Sequence, residues 1–233
     1  MNEVPVQTVS GTAGQKAQAG RRHLLRGLST LFWSLPLSLL VSIQTLVTDN
    51  LRGMGVVPPV LCTGALLFGT QCLNYFNPEG EFWRLRANQL RLVAVILVGL
   101  SPFVYFWNRY PGEDYFRSSI FMIGLAAFAF LLFLNRLLRE LAPIIPRPEL
   151  NAETQLFTNI NTNLIYFSIA ISLVFAVLPY LSFLPGIFLV RIEMLESIKR
   201  TLLLFLFLFP LSLTMTLLWK YKECVMEEAF REE

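Results

Sequence analysis

Charge is scarce in this chain. Only 15% of its 233 residues are Asp, Glu, Lys or Arg, against about 25% in an ordinary soluble domain. A water-soluble surface over a chain of this length needs more. Histidine is scarcer still: His23 is the single one, which removes paired axial ligands for a membrane haem and any His-based zinc set. The three cysteines, Cys62, Cys72 and Cys224, form no C-x-x-C spacing and no disulfide framework. On one helix Cys62 and Cys72 lie about 15 Å apart at a rise of about 1.5 Å per residue, too far for a bridge. No Asn-x-Ser/Thr acceptor occurs, and no Gly-rich loop leads to a basic residue in the manner of a phosphate-binding P-loop. Cofactor and metal are accordingly expected to be none.

What fills the space is apolar. Hydrophobic residues make up 55% and aromatic residues 13% of the chain, gathered into long uncharged blocks. A helix needs about 20 apolar residues to cross about 30 Å of hydrocarbon. Such blocks fall at 28–48, 56–76, 90–108, 118–138, 163–184 and 201–220. The expected fold is therefore all-α: a polytopic transmembrane helical bundle of about six spans, covering residues 21–220. The small polar stretch 1–20 reads as a disordered tail, and 221–233 as a charged C-terminal tail. A secretion signal is the competing reading of residues 21–48. The run is long for one, and five more apolar blocks follow, so a retained first span is preferred.

Two regions read less simply. TQLFTNINTN, ahead of the fifth block, is polar for lipid, and Pro179 and Pro185 interrupt the block's end. One span with an interfacial segment fits, and a re-entrant hairpin is the alternative. GIFLVRIEMLESIKR (186–200) suits either a helix lying in the interface or a lead-in to the last span, and FWRLRANQLRL (82–92) invites the same comparison.

Basic residues orient the spans. With six of them, the N-terminus and even loops carry 13 Lys/Arg and the odd loops 6. The excess places both termini in the cytoplasm. Together with the missing glycosylation acceptors, this suits a bacterial inner membrane. Trp83, Trp219 and Tyr221 then mark the cytoplasmic interface, and Tyr105, Trp107, Tyr110 and Tyr115 the opposite one, around the turn RYPGED. The net charge of +3 serves orientation, and no nucleic-acid partner is expected.

The polar groups inside the second block, CTGALLFGTQCLN, raise the question of function. Ala65 and Gly69 form a small-xxx-small pair that lets another backbone approach. Thr63, Thr70 and Asn74 run beside it, Gln71 lies in the same block, and the first block offers Ser34, Ser38, Thr45 and Thr48 with Gln44 next to them. These groups read as helix–helix contacts, or else as a polar pathway bordered by Gln44, Gln71 and Asn74. No ionisable residue lies near the centre of a span, which argues against a proton-coupled pump. Serine and cysteine in the spans have no base within reach of sequence logic, so no catalytic residue is assigned. The expectation is a non-enzymatic membrane protein: a structural or accessory subunit contacting lipid and either a membrane-protein partner or further copies of itself. The alternative is a channel or facilitator for an uncharged or lipid-like solute, with Pro36, Pro102, Pro179 and Pro210 as hinges. A membrane enzyme would need loop carboxylates such as Glu79, Glu113 and Glu153 to converge.

Overall fold

The computed structural model describes residues 9–48, 51–76, 81–110, 113–142, 148–177 and 186–231. Among them the chain is helical and contains no strand. The helices are α1 (Val9–Val47), α2 (Val57–Tyr75), α3 (Glu81–Leu100), α4 (Pro102–Arg109), α5 (Asp114–Leu141), α6 (Pro148–Val177) and α7 (Gly186–Arg231). Helical order begins at Val9, earlier than the tail boundary at residue 20, and α7 runs on through most of the charged C-terminal stretch. Residues 186–200 are continuous with α7, and their side chains lie outside the described residues.

The all-α membrane class stands, but the number of spans changes. Among the described residues, five stretches are long and apolar enough to cross a bilayer: Gln18–Leu46, Phe82–Arg109, Asp114–Leu141, Thr154–Val177 and Leu204–Glu227. The expected span at 56–76 is missing from this set. Its helix, α2, is about 28 Å long at the usual rise, close to the hydrocarbon thickness. Pro58, Pro59, Thr63, Thr70, Gln71 and Asn74 dilute its apolar character. The fifth expected span also shifts, from 163–184 to Thr154–Val177. TQLFTNINTN is the first part of one unbroken helix, because its polar side chains at Thr154, Thr158 and Asn161 turn inward. Residues 178–184 and Pro185 lie outside the described residues.

The chain divides into two compact units. The first comprises Met1–Ile120 with Leu218–Glu233. Its α1 buries Leu24, Leu28, Leu31 and Leu35, and its α3 buries Trp83, Ala87, Leu90, Ala94 and Leu97. Both series follow the i, i+4, i+7 spacing of a single helical stripe. Trp33, Leu37, Leu40, Leu92, Val95 and Ile96 face outward from the same helices, an arrangement that hydrocarbon favours and water penalises. Trp83 is 2% exposed and donates its indole N–H to the Leu73 carbonyl at 3.3 Å. Tyr221 is likewise buried. FWRLRANQLRL is thus the docked start of α3.

Two devices hold the connections. Gly55, at φ 61°, takes the left-handed backbone that glycine reaches without a Cβ clash and leads into α2. Between α3 and α4, Pro102 has no N–H to give the Val98 carbonyl. The Ser101 hydroxyl donates to it instead at 2.8 Å. The turn after α4 is closed by rings: Phe103, Phe106 and Tyr110 lie 6.3, 6.0 and 6.1 Å from Phe116. Pro111 and Gly112 of the turn RYPGED lie outside the described residues. The second unit, Phe121–Leu217, is built from the remainder of α5, from α6 and from the preceding part of α7. Phe128 meets Phe207 edge-on at 5.2 Å within it.

Candidate functional site

The stripe of small residues on α2 finds its partner in α1. A Cβ added at Gly69 would lie 2.9 Å from Leu31 and 3.4 Å from the Gly27 carbonyl oxygen. One added at Gly27 would lie 2.9 Å from Leu73 and 3.1 Å from the Gly69 carbonyl oxygen. Glycine therefore meets glycine at the closest approach. Ala65 is half-buried one turn away.

Contacts along the pair fix its direction. Gly20 approaches Phe76, the His23 and Tyr75 rings meet at a tilt with centroids 5.5 Å apart, and Gly27 approaches Gly69. Residue numbers rise on α1 as they fall on α2, so the helices are antiparallel. Gln44 consequently lies about 25 Å beyond the Gly27 crossing at the usual rise. Gln71 and Asn74 lie on the other side of it. The three amides read as borders of one pathway are thus set at opposite ends of the α1–α2 pair.

The hydroxyls expected to bond between helices mostly turn to their own. Ser38 donates to the Leu35 carbonyl at 2.9 Å, Thr45 to Val41 at 2.7 Å, and Thr48 to Gln44 at 2.8 Å. Thr63 donates to the Pro59 carbonyl at 2.8 Å. Gln44 Oε1 lies 2.9 Å from the Thr48 hydroxyl, and Gln71 donates weakly to the Tyr75 hydroxyl at 3.5 Å. Such back-bonding satisfies a hydroxyl without recruiting a neighbour.

A different set of residues, absent from the sequence expectations, makes a true three-helix polar contact in the second unit. Asn135 of α5, Asn161 of α6 and Thr214 of α7 are each 0% exposed. Asn135 Nδ2 donates to the Leu131 carbonyl at 2.7 Å and to Thr214 Oγ1 at 2.9 Å. Asn161 Nδ2 donates to Asn135 Oδ1 at 3.0 Å and to Thr214 Oγ1 at 2.9 Å. Thr214 Oγ1 donates its own proton to the Pro210 carbonyl at 2.8 Å. An amide nitrogen has two protons, and a hydroxyl has one proton and two lone pairs. Every donor in the hub is used, and Thr214 is saturated in both senses.

Sequence spacing explains the geometry. The buried side chains of α6 are Thr154, Thr158, Asn161, Ile165 and Ser168, alternating steps of four and three along one face. Leu156, Ile160, Tyr166 and Phe167 point outward. Four of these five inward side chains are polar, where a soluble helix would bury apolar ones. Beside the hub, Arg136 points outward and donates to the Tyr166 hydroxyl at 2.7 Å.

The same face repairs a proline. Pro210 sits inside α7 and has no N–H for the Leu206 carbonyl. Ser168 Oγ of α6 donates to that carbonyl at 3.1 Å, sharing its proton with Leu164 of its own helix at 2.8 Å. Ser168→Ala is expected to lower stability by about 1 kcal/mol. The measurement is detergent-titrated unfolding, and an unchanged midpoint would show the carbonyl to be content without the serine.

Acidic and nucleophilic groups do not gather in this way. Among the described residues no group of three His, Cys, Asp or Glu could hold a metal ion. Asp114 lies 3.8 Å from Arg117 at an exposed helix start. Glu79, and the side chain of Glu153, lie outside the described residues. Cys62, Cys72 and Cys224 are free thiols, all buried. No protein-family model, no curated protein and no solved structure matches the chain.

Proposed function

We propose that this chain is a non-enzymatic integral membrane protein, a structural or accessory subunit that packs against the helices of another membrane protein. We place it in a bacterial inner membrane, where an odd count of five spans sets the two termini on opposite faces. The observation that carries the reading is the outward face of α6. Only 17% of that span is buried, against 33–39% for the other four. Gln155, Asn159 and Asn163 follow one another at four-residue steps on this exposed side. An amide facing hydrocarbon is costly and pairs readily with polar groups of a neighbouring helix. The inward polar groups, by contrast, are largely spent on the fold itself. A facilitator built on Gln44, Gln71 and Asn74 is disfavoured by the separation of Gln44 from the other two.

The test is gentle extraction from native membranes, followed by mass spectrometry of everything retained. A stoichiometric membrane protein is expected, with retention falling at least tenfold for Asn159→Leu/Asn163→Leu. Recovery of the bare chain with bulk lipid, from wild type and variant alike, would sink the subunit reading.

A further inference from the structure

The hydrogen-bond inventory of the hub leaves something over. Asn161 Oδ1, on a residue 0% exposed, has no donor, and Thr158 Oγ1, on a residue 2% exposed, has no partner. The two belong to the same buried face of α6, three residues apart. A buried threonine in this chain ordinarily turns to its own helix, as Thr45, Thr63 and Thr214 do. Thr158 does not. Nor can the hub supply the missing donor, because both protons of Asn135 Nδ2, both of Asn161 Nδ2 and the Thr214 proton are already committed.

We infer that a water molecule is bound between Thr158 and Asn161 as a fixed part of the second unit. It accepts the Thr158 hydroxyl proton and donates to Asn161 Oδ1. Side chains three apart on a helix have Cβ atoms about 5–6 Å from each other. One water with a hydrogen bond of about 2.8 Å on each side spans a gap of that order. The site is polar, which a retained water requires, and a dry apolar cavity would not hold it. The water completes the hub and extends it by one turn along α6 toward Thr154, also buried.

The test uses the full-length chain in bicelles and reads two quantities. In protein labelled at asparagine side-chain amides, Asn161 is expected to show a magnetisation-transfer peak to water, assigned by its loss in Asn161→Leu. Thr158→Val, which keeps shape and removes the hydroxyl, is expected to abolish the peak. It should also shift the unfolding equilibrium about fivefold toward the unfolded state, while Thr158→Ser stays within about twofold of wild type. A dry site predicts the opposite sign for the valine variant, since an unpaired buried hydroxyl is itself destabilising. Greater stability in Thr158→Val, or a wild-type Asn161 amide with no contact to water, would overturn the inference. So would a contact to lipid headgroup protons in water's place.

Discussion

Thr214→Val is expected to lower the stability of the chain by about 2–3 kcal/mol. The substitution preserves shape and removes one oxygen. That oxygen accepts from both Asn135 and Asn161, so two buried amide N–H groups lose their partner at once. Each orphaned donor costs about 1–3 kcal/mol in a protein interior. The lower part of the range applies here, because a chain unfolded within a membrane also finds partners for its amides. Pro210's carbonyl keeps the Thr214 backbone N–H, the ordinary helical bond, and adds little to the loss. The companion variant is Asn135→Leu/Asn161→Leu/Thr214→Val, which removes all three polar side chains together. It leaves no orphan in the hub and is expected to lose less than the single change. Equilibrium unfolding by sodium dodecyl sulfate in bicelles measures both. If the triple variant falls further than Thr214→Val, the hub stabilises by its bonds and not merely by the absence of orphans.

Gly27→Val is expected to cost about 2–3 kcal/mol in the same assay, the upper part of the usual range for forcing extra carbon into a filled contact. The first carbon alone would stand 2.9 Å from Leu73 and 3.1 Å from the Gly69 carbonyl oxygen. Leu73 can rotate, whereas a helix carbonyl cannot yield without moving α2. Gly27→Ala is expected to show the same sign at smaller size. Gly64 provides the control: nothing lies within 4 Å of its would-be Cβ. Gly64→Ala is therefore expected to be neutral or stabilising by up to about 1 kcal/mol through helix propensity. Equal losses from Gly27→Val and Gly64→Ala would mean that the α1–α2 crossing is not as close as described.

Composition and block length made the membrane class legible before any coordinates. The count of spans was less so, for a reason visible in α2. Two leading prolines and a set of threonines and amides lower its apolar character, although the threonine hydroxyls bond within the helix itself. Gly69 was legible from small-residue spacing. Its counterpart Gly27 was not, because His23 and Leu31 stand four positions either side of it and no small-residue spacing marks it. Gln44, Gln71 and Asn74 look like companions in sequence, and only the antiparallel register separates them. The hub was hidden twice over. Asn135 adjoins Arg136 and reads as the end of a span, while Thr158 and Asn161 sit in a segment that looks too polar for lipid. The alternation of four and three from Thr154 to Ser168 was present in the sequence. Reading it required supposing that polar residues could mark the inside.

The bond from Ser168 to the Leu206 carbonyl also bears on how the chain is made. Synthesis runs from the N-terminus, so α6 leaves the ribosome before α7 and the donor is in place ahead of the acceptor. Until α7 reaches it, the carbonyl that Pro210 strips of its partner has no compensation, and in hydrocarbon such a group costs several kcal/mol. The last helix thus gains from entering the bilayer against its predecessor and not alone. An α6–α7 pair entering together would keep that carbonyl bonded throughout, with the early helix as template for the late one.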